Sequence, residues 1–371
     1  MKHHHFFPVF IALVTSYIGL HFYAARWVVK SFSIGPAAAT WLRAVFLLAA
    51  FLSPFTMYLK RQYHSPALEP LYTAGYAWMG VIMVAAFVFA CSDLAGLALR
   101  RTPGLISHDH LEQLTLAALF FILAWAFHGG FKTPVIKEIT VPVKDLPPAL
   151  EGFKIAQISD AHIDSDWKLR QFMEVVERIN TAAPDLVLIT GDLIDPGLSC
   201  PEYLGKLTAA IKSRLGLFGA LGNHEYYYGL EKSMECYKAF GIKLLHNDSY
   251  DLKDLRLIGL GDIHSENLSE TDIKNTLEKH KTGKFTVILC HQPLYYGLMA
   301  ETGNYLVLSG HTHNGQIFPF HIFTKAFYRY FYGLYRLKNS IFYVTSGAGA
   351  WGPPMRWLAT AEIPVLKLVK Q

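Results

Sequence analysis

Asp185-Leu186-Val187-Leu188-Ile189-Thr190-Gly191-Asp192-Leu193-Ile194-Asp195 is the stretch on which the fold turns. A short apolar run of β-favouring side chains stops at Thr190 and Gly191, so it reads as a strand that delivers the Asp192 carboxylate to the rim of a sheet. By itself, an Asp after a Gly is also ordinary turn chemistry. The neighbouring segments decide between the two.

Outward from this strand, from about residue 151 onward, short apolar strands alternate with helical stretches, the signature of a layered α/β domain. Strands are expected at 154–159, 185–190, 217–221, 255–260, 285–290, 305–309, 341–345 and 365–369, and helices at 168–182, 203–214, 230–240 and 270–280. Five of the strands end in metal-ligand residue types. The first runs into Asp160-Ala161-His162, the second into Gly191-Asp192-Leu193-Ile194-Asp195, and the third into Gly222-Asn223-His224-Glu225. The strand at 285–290 runs into His291, and that at 305–309 into Gly310-His311-Thr312-His313. In an open α/β sheet ligands bind beyond the carboxyl ends of the strands, so these loops can converge. One Asp or His at a strand end is a turn or capping residue; five in succession point to a metal centre. Carboxylate, amide and imidazole without thiolate suit Mn, Fe or Zn. Two such ions about 3.5–4 Å apart need a shared anionic ligand, and a carboxylate in the middle of the set is the natural bridge.

The rest of the chain differs in character. With 371 residues, 52% of them hydrophobic, and a mean hydropathy of +0.23, the chain is too long for one small domain and too apolar for a purely soluble one. Apolar runs at 8–29, 37–59, 72–99 and 111–130 each have the length of a bilayer-spanning helix, and Arg26, Lys30, Lys60, Arg61, Arg100 and Arg101 sit at run ends as interfacial anchors. The first run is not a cleavable signal, because its core is long and three similar runs follow. Residues 1–134 hold nine Lys and Arg against four acids, whereas residues 135–371 hold twenty-five of each. The positive excess therefore lies among the apolar runs, which suits contact with membrane lipids and not with nucleic acid. Four spans put both ends of the chain on one side. Lys2, Lys60, Arg61, Lys132 and Lys137 against Arg26, Lys30, Arg100 and Arg101 lean that side toward the cytoplasm, in a multi-pass inner or plasma membrane protein.

His21, Arg43, Asp93 and His128 fall in or beside the spans and are either functional or locally satisfied. Residues 132–150, with Pro134, Pro142, Pro147 and Pro148, read as an extended linker between a transmembrane domain at 1–131 and a catalytic domain at 151–371. Cys91, Cys200, Cys236 and Cys290 are widely spaced and suggest neither a disulfide framework nor a thiolate zinc site. His3 to His5 are given no role. Oligomeric state leaves no trace in the sequence.

The order Asp-x-His, Gly-Asp-x-x-Asp, Gly-Asn-His-Glu, His, Gly-His-x-His resembles the calcineurin-like metallophosphoesterase superfamily over about residues 150–371. The resemblance implies a four-layer α/β/β/α sandwich following the four-helix anchor. It implies that Asp160, His162 and His313 hold one ion, that Asn223, His291 and His311 hold a second, and that Asp192 bridges them. His224 would protonate the leaving oxygen and Asp195 would orient it, with Glu225 standing where many members have Asp. Two cations answer a physical need: they neutralise the phosphoryl oxygens that otherwise repel an anionic nucleophile and acidify the attacking water. Gly310 to Gln316 and Gly347 to Arg356 resemble the membrane-anchored branch, with Asn314 where that branch usually has Gly.

The expected function is hydrolysis of a phospholipid or lipid-linked phosphate or pyrophosphate; a phosphodiesterase for soluble nucleotides and a non-catalytic scaffold or transporter are the alternatives. Read as a helix, 318–338 carries Phe320, Phe323, Phe327, Phe331 and Leu334 on one stripe and Lys325, Arg329 and Arg336 on another. Such a segment lies in the lipid headgroup region or packs on the protein itself.

Overall fold

The computed structural model of the chain describes residues 6–63, 65–101, 106–196, 198 and 202–371. His3 to His5 and Cys200 lie outside the described residues. The chain divides into two compact units, one of residues up to 128 with 352–357, the other of residues 129–351 with 358–371.

The first unit is helical: α1 (Phe6–Ser31), α2 (Pro36–Ala49), α3 (Leu52–Gln62), α4 (Glu69–Leu99) and α5 (His108–Phe131). Among the described residues, Pro36–Lys60, Glu69–Leu99 and His108–Phe131 are long and apolar enough to cross a membrane. The run expected at 37–59 is interrupted between Ala49 and Leu52. Pro54 explains the break, since its nitrogen cannot donate to the Ala50 carbonyl and its ring crowds that oxygen. Trp27 stacks on Phe89 at 3.9 Å and 3°, in a core shared with Ala24, Ile82 and Ala85. Two of the four polar residues singled out in this unit, His21 and Asp93, have side-chain partners. Buried His21 accepts the Trp78 indole N–H at 3.0 Å, Asp93 accepts the Tyr23 hydroxyl at 2.8 Å, and Arg43 and His128 are exposed.

The second unit is built on two six-stranded mixed sheets. The first has the order β1 (Val135–Val143), β12 (Glu362–Lys370), β2 (Lys154–Ile158), β3 (Leu186–Thr190), β4 (Leu217–Ala220), β5 (Lys243–Leu244). The second has the order β10 (Gly333–Leu337), β11 (Ser340–Val344), β9 (Tyr305–Ser309), β8 (Phe285–Leu289), β7 (Leu255–Gly259), β6 (Asp248–Asp251). Strands β2 to β5 run parallel, as do β7, β8, β9 and β11.

The two-residue period of a strand sorts each apolar run into two cores. Leu186 and Leu188 of β3, Val287 and Leu289 of β8, and Leu306 and Leu308 of β9 meet in one core that draws on both sheets. Val187 and Ile189 instead face α6 (Asp166–Ala182), α7 (Glu202–Ala209) and α9 (Leu230–Ala239), through Phe172, Leu204 and Tyr237 among others. Ile288 and Val307 face α10 (Glu270–Lys279) and α11 (Tyr296–Thr302), through Leu277 and Met299. The run Leu186–Ile189 is therefore buried on both faces, which is why it reads as continuous apolar sequence.

Two expectations need correction. Residues 135–143 are not linker but strand β1, paired in parallel with β12 from Val135↔Glu362 to Val143↔Lys370. Pro142 is compatible with this because β1 is an edge strand, where a missing N–H leaves no central ladder bond unmade. The segment 318–338 is not one helix: α12 (Phe320–Phe327) ends before Tyr328, and Gly333–Leu337 forms β10, which turns through Lys338-Asn339 into β11. Phe331 and Leu334 fit a three-to-four-residue spacing, but 333–337 alternates in burial as a strand does.

Candidate metal centre

The five loops expected to converge do so, beyond the carboxyl ends of β2, β3, β4, β8 and β9. Asp160, His162 and His313 form one group whose ligand atoms lie within 4.8 Å of one another, and Asp192, His291 and His311 form another. Asp192 also groups with His162 and His224. Its Oδ2 is 3.1 Å from His291 Nε2 and 3.8 Å from His162 Nε2, which sets this carboxylate between the two groups. Asn223 joins the second group, its Oδ1 lying 3.2 Å from His291 Nε2 and 3.0 Å from His311 Nδ1.

Hydrogen bonds on the far side of three of the rings fix which nitrogen faces inward. His291 Nδ1 donates to the Thr190 carbonyl at 2.8 Å, leaving Nε2 inward. His162 Nδ1 donates to Asp195 Oδ1 at 2.9 Å, again leaving Nε2 inward. His311 is turned the other way: Nε2 bonds the Tyr328 hydroxyl at 2.7 Å, so Nδ1 faces Asn223 and His291.

This donor set fits a pair of cations. His162 Nε2 and His313 Nε2 are 3.0 Å apart, His291 Nε2 and His311 Nδ1 are 3.3 Å apart, and buried Asp160 Oδ2 has no hydrogen-bond partner. Inward lone pairs this close repel unless a proton or a cation lies between them, and the carboxylates supply the balancing negative charge. Burial works to raise the carboxyl of Asp192, but the His291, His224 and His162 rings outweigh it and hold Asp192 far below the usual range. Burial lifts Asp160, and the Asp192 charge adds to the lift.

Backbone conformation supports the same site. Asp160, His162, Asp192, His311 and His313 all have left-handed φ, between 49° and 70°. Non-glycine residues avoid this region, and its use by five clustered side chains is strain placed where aiming a ligand matters. Asn314 also adopts it, at φ 50° and ψ 35°, so Asn serves in the position where Gly is usual. A Cβ at Gly310 would collide with Asp160 Oδ2 and Ser159 Oγ, so any larger residue there would displace the Asp160 side chain or its neighbour Ser159.

His224 is the second residue of α8 (Asn223–Tyr228). Its N–H donates to Asp192 Oδ1 at 2.9 Å, and its Nδ1 contacts Asp195 Oδ1, the oxygen that also receives His162. Burial disfavours the imidazolium of His224, yet Asp195 and Asp192 outweigh it and push the ring up to about 9. Partly exposed Tyr227 and Trp351 flank this ring, with centroids at 5.2 and 6.2 Å. Gln316 holds Trp351 in place, donating to its carbonyl at 2.8 Å and accepting its N–H at 2.9 Å.

Three further residues escaped the sequence reading. Glu225, noted only as a departure from Asp, is fully buried and accepts the N–H groups of Gly222, Asp192 and Leu193, each at 2.8 Å. Its spacing of three from Gly222, a capping-box distance, was the available signal. Tyr328 and Gln316 carried none, since each acts through the tertiary structure. The Gly347-Ala348-Gly349 segment has a visible purpose: the Ala348 and Gly349 N–H groups donate to the Ser159 and Asp160 carbonyls, both at 2.8 Å, and so fix the Asp160 loop.

Residues 153–315 match a family model described as calcineurin-like phosphoesterase. An uncharacterised metallophosphoesterase from Campylobacter jejuni is 34% identical over 273 residues, which is 72% of each chain. A Danio rerio protein described as a transmembrane protein with metallophosphoesterase domain is 31% identical over 304 residues, 76% of this chain and 69% of its own. Its Bos taurus counterpart is 32% identical over 253 residues, 63% of this chain and 57% of its own.

Proposed function

Because the chain belongs to the calcineurin-like phosphoesterase family, we propose that it is a membrane-anchored hydrolase of phosphate esters or pyrophosphates carried by lipids. The observation that carries the reading is the placement of Asp192 Oδ2 between two groups of inward imidazole and amide donors, one beside His162 and one beside His291. In this reading Asp160, His162 and His313 would hold one divalent cation, Asn223, His291 and His311 would hold the other, and Asp192 would serve both. Bound there, Mn, Fe or Zn supplies charge neutralisation at the phosphoryl oxygens and acidifies water.

The chain's own residues do the rest. Asp195 holds the Nδ1 side of His224 and keeps the ring protonated near neutral pH, so Nε2 carries the proton that the departing alkoxide or phosphate needs. Tyr227 and Trp351, whose rings lie close to that of His224, would offer apolar surface to the leaving group. Glu225 keeps the Asp192 loop in register.

The anchor is read as four spans, the three apolar stretches plus α1, with the catalytic unit on the cytoplasmic side. The three cores of that unit are read as four layers. A lipid-linked substrate follows from an anchor that holds the site at a bilayer. Full-length protein in nanodiscs, loaded with Mn²⁺, is expected to hydrolyse a phospholipid monoester or diester and to lose this activity on chelation. Hydrolysis of soluble nucleotide esters with no lipid phosphate accepted would favour the soluble-substrate alternative. Absence of any hydrolysis would favour the scaffold.

A further inference from the structure

We infer that α12 is an interfacial helix that lies in the headgroup layer of a lipid bilayer. The inference rests on the membrane reading of the apolar helices but not on the hydrolase reading. Phe320, Phe323 and Phe327, at positions i, i+3 and i+7, share one face of α12, and all three are exposed, Phe327 to 83%. Ile322 on the helix and Leu358, whose carbonyl bonds His321, extend the patch. The one buried residue of the helix is polar Thr324. A surface helix that serves its own domain turns the apolar stripe inward and the polar residues outward. Here the polarity is reversed, so the stripe is made for something outside the unit.

Composition selects a bilayer as the occupant. Residues 318–338 contain Lys325, Arg329, Arg336 and Lys338 and no acidic residue, and Lys325 and Arg329 beside the aromatic stripe are exposed. Aromatic side chains with flanking cations match the boundary between acyl chains and anionic headgroups. A chain carrying apolar stretches long enough to cross a membrane is held where such a boundary is always within reach.

The helix is tied to the metal centre. Tyr328, directly after Phe327, bonds His311 Nε2 at 2.7 Å, and Phe331 accepts the Thr312 hydroxyl at 2.7 Å. The loop carrying His311 and His313 is thereby fastened to the segment that meets the lipid, which sets the site beside the layer where lipid phosphates lie.

The test is photo-crosslinking of the full-length protein in nanodiscs of phosphatidylcholine and phosphatidylglycerol. With Phe327→p-benzoylphenylalanine, irradiation is expected to give a lipid-mass adduct by mass spectrometry. The same replacement at exposed Lys274 of α10 is expected to give none. A cross-link from 327 to a second copy of the chain, or no lipid adduct at 327, overturns the inference. In parallel, Phe323→Asp combined with Phe327→Asp should lower hydrolysis of a vesicle-borne phosphate ester about tenfold and leave a soluble aryl phosphodiester within twofold. If the parent protein cleaves neither ester, the hydrolase reading fails while the adduct still reports on the helix.

Discussion

The Asp192 N–H donates to Glu225 Oε2 at 2.8 Å, so the residue between the two donor groups is itself held by a buried carboxylate. The same side chain satisfies the N–H groups of Gly222 and Leu193 and receives the Tyr237 hydroxyl at 3.2 Å. The β3 and β4 loops are thus joined through one residue.

Replacing Glu225 with Ala leaves several buried N–H groups without acceptors, at about 1–3 kcal/mol each. The expected outcome is a loss of on the order of 3–5 kcal/mol and a thermal midpoint lower by roughly 10 °C. Glu225→Gln, which keeps one acceptor oxygen, should lose less. Differential scanning fluorimetry in detergent reports both, and an unchanged midpoint for Glu225→Ala would show that water replaces the carboxylate at no cost.

Tyr328→Phe removes the acceptor that holds His311 with Nδ1 inward. Loss of such a partner typically costs 10–100-fold in metal affinity. Titration of metal-stripped protein with Mn²⁺, read by a competing fluorescent chelator, should show this weakening for the ion near His311, and identical affinities would remove Tyr328 from the account.

His224→Ala should leave metal content unchanged while cutting turnover by about 10²–10⁴-fold, the usual share of a positioned acid. The effect should shrink for esters whose leaving group is a weak base, such as 4-nitrophenolate, because these need no proton. A uniform loss across leaving groups would place His224 elsewhere in the reaction.

Stability of the metal-stripped protein should depend on pH through the same ring. Its folded value of about 9 lies above the ordinary imidazole value near 6.5. The stabilisation from the charged ring is therefore complete below about pH 6.5 and is lost as pH rises through about 9. Thermal midpoints measured from pH 6 to 10 should fall across that window, and Asp195→Asn should flatten the fall. A midpoint rising with pH in the parent would contradict the assignment.

Much of the site was legible because its ligands follow strands: a run such as Leu186–Thr190 that is buried on both faces announces its own end, and Gly191-Asp192 marks the exit. The helices expected at 168–182, 230–240 and 270–280 appear within a residue or two of those limits, since each carries a strong helical period. Strand β1 was hidden because its proline, Pro142, and its charged Lys137 and Glu138 suit an edge as well as a linker. The short α8 and α11 are set by tertiary contacts and have too few turns to show a period. Glu225 shows the same limit at the level of one side chain, since its importance lies in N–H groups contributed by two loops distant in sequence.

Metal stoichiometry of the Asp192→Asn variant tests the central claim most directly. Elemental analysis of the Mn²⁺-loaded parent is expected to give two ions per chain, and the variant, lacking the carboxylate between the two donor groups, is expected to lose both. A variant that keeps one ion at full occupancy, or a parent that binds only one, would contradict a centre bridged by Asp192.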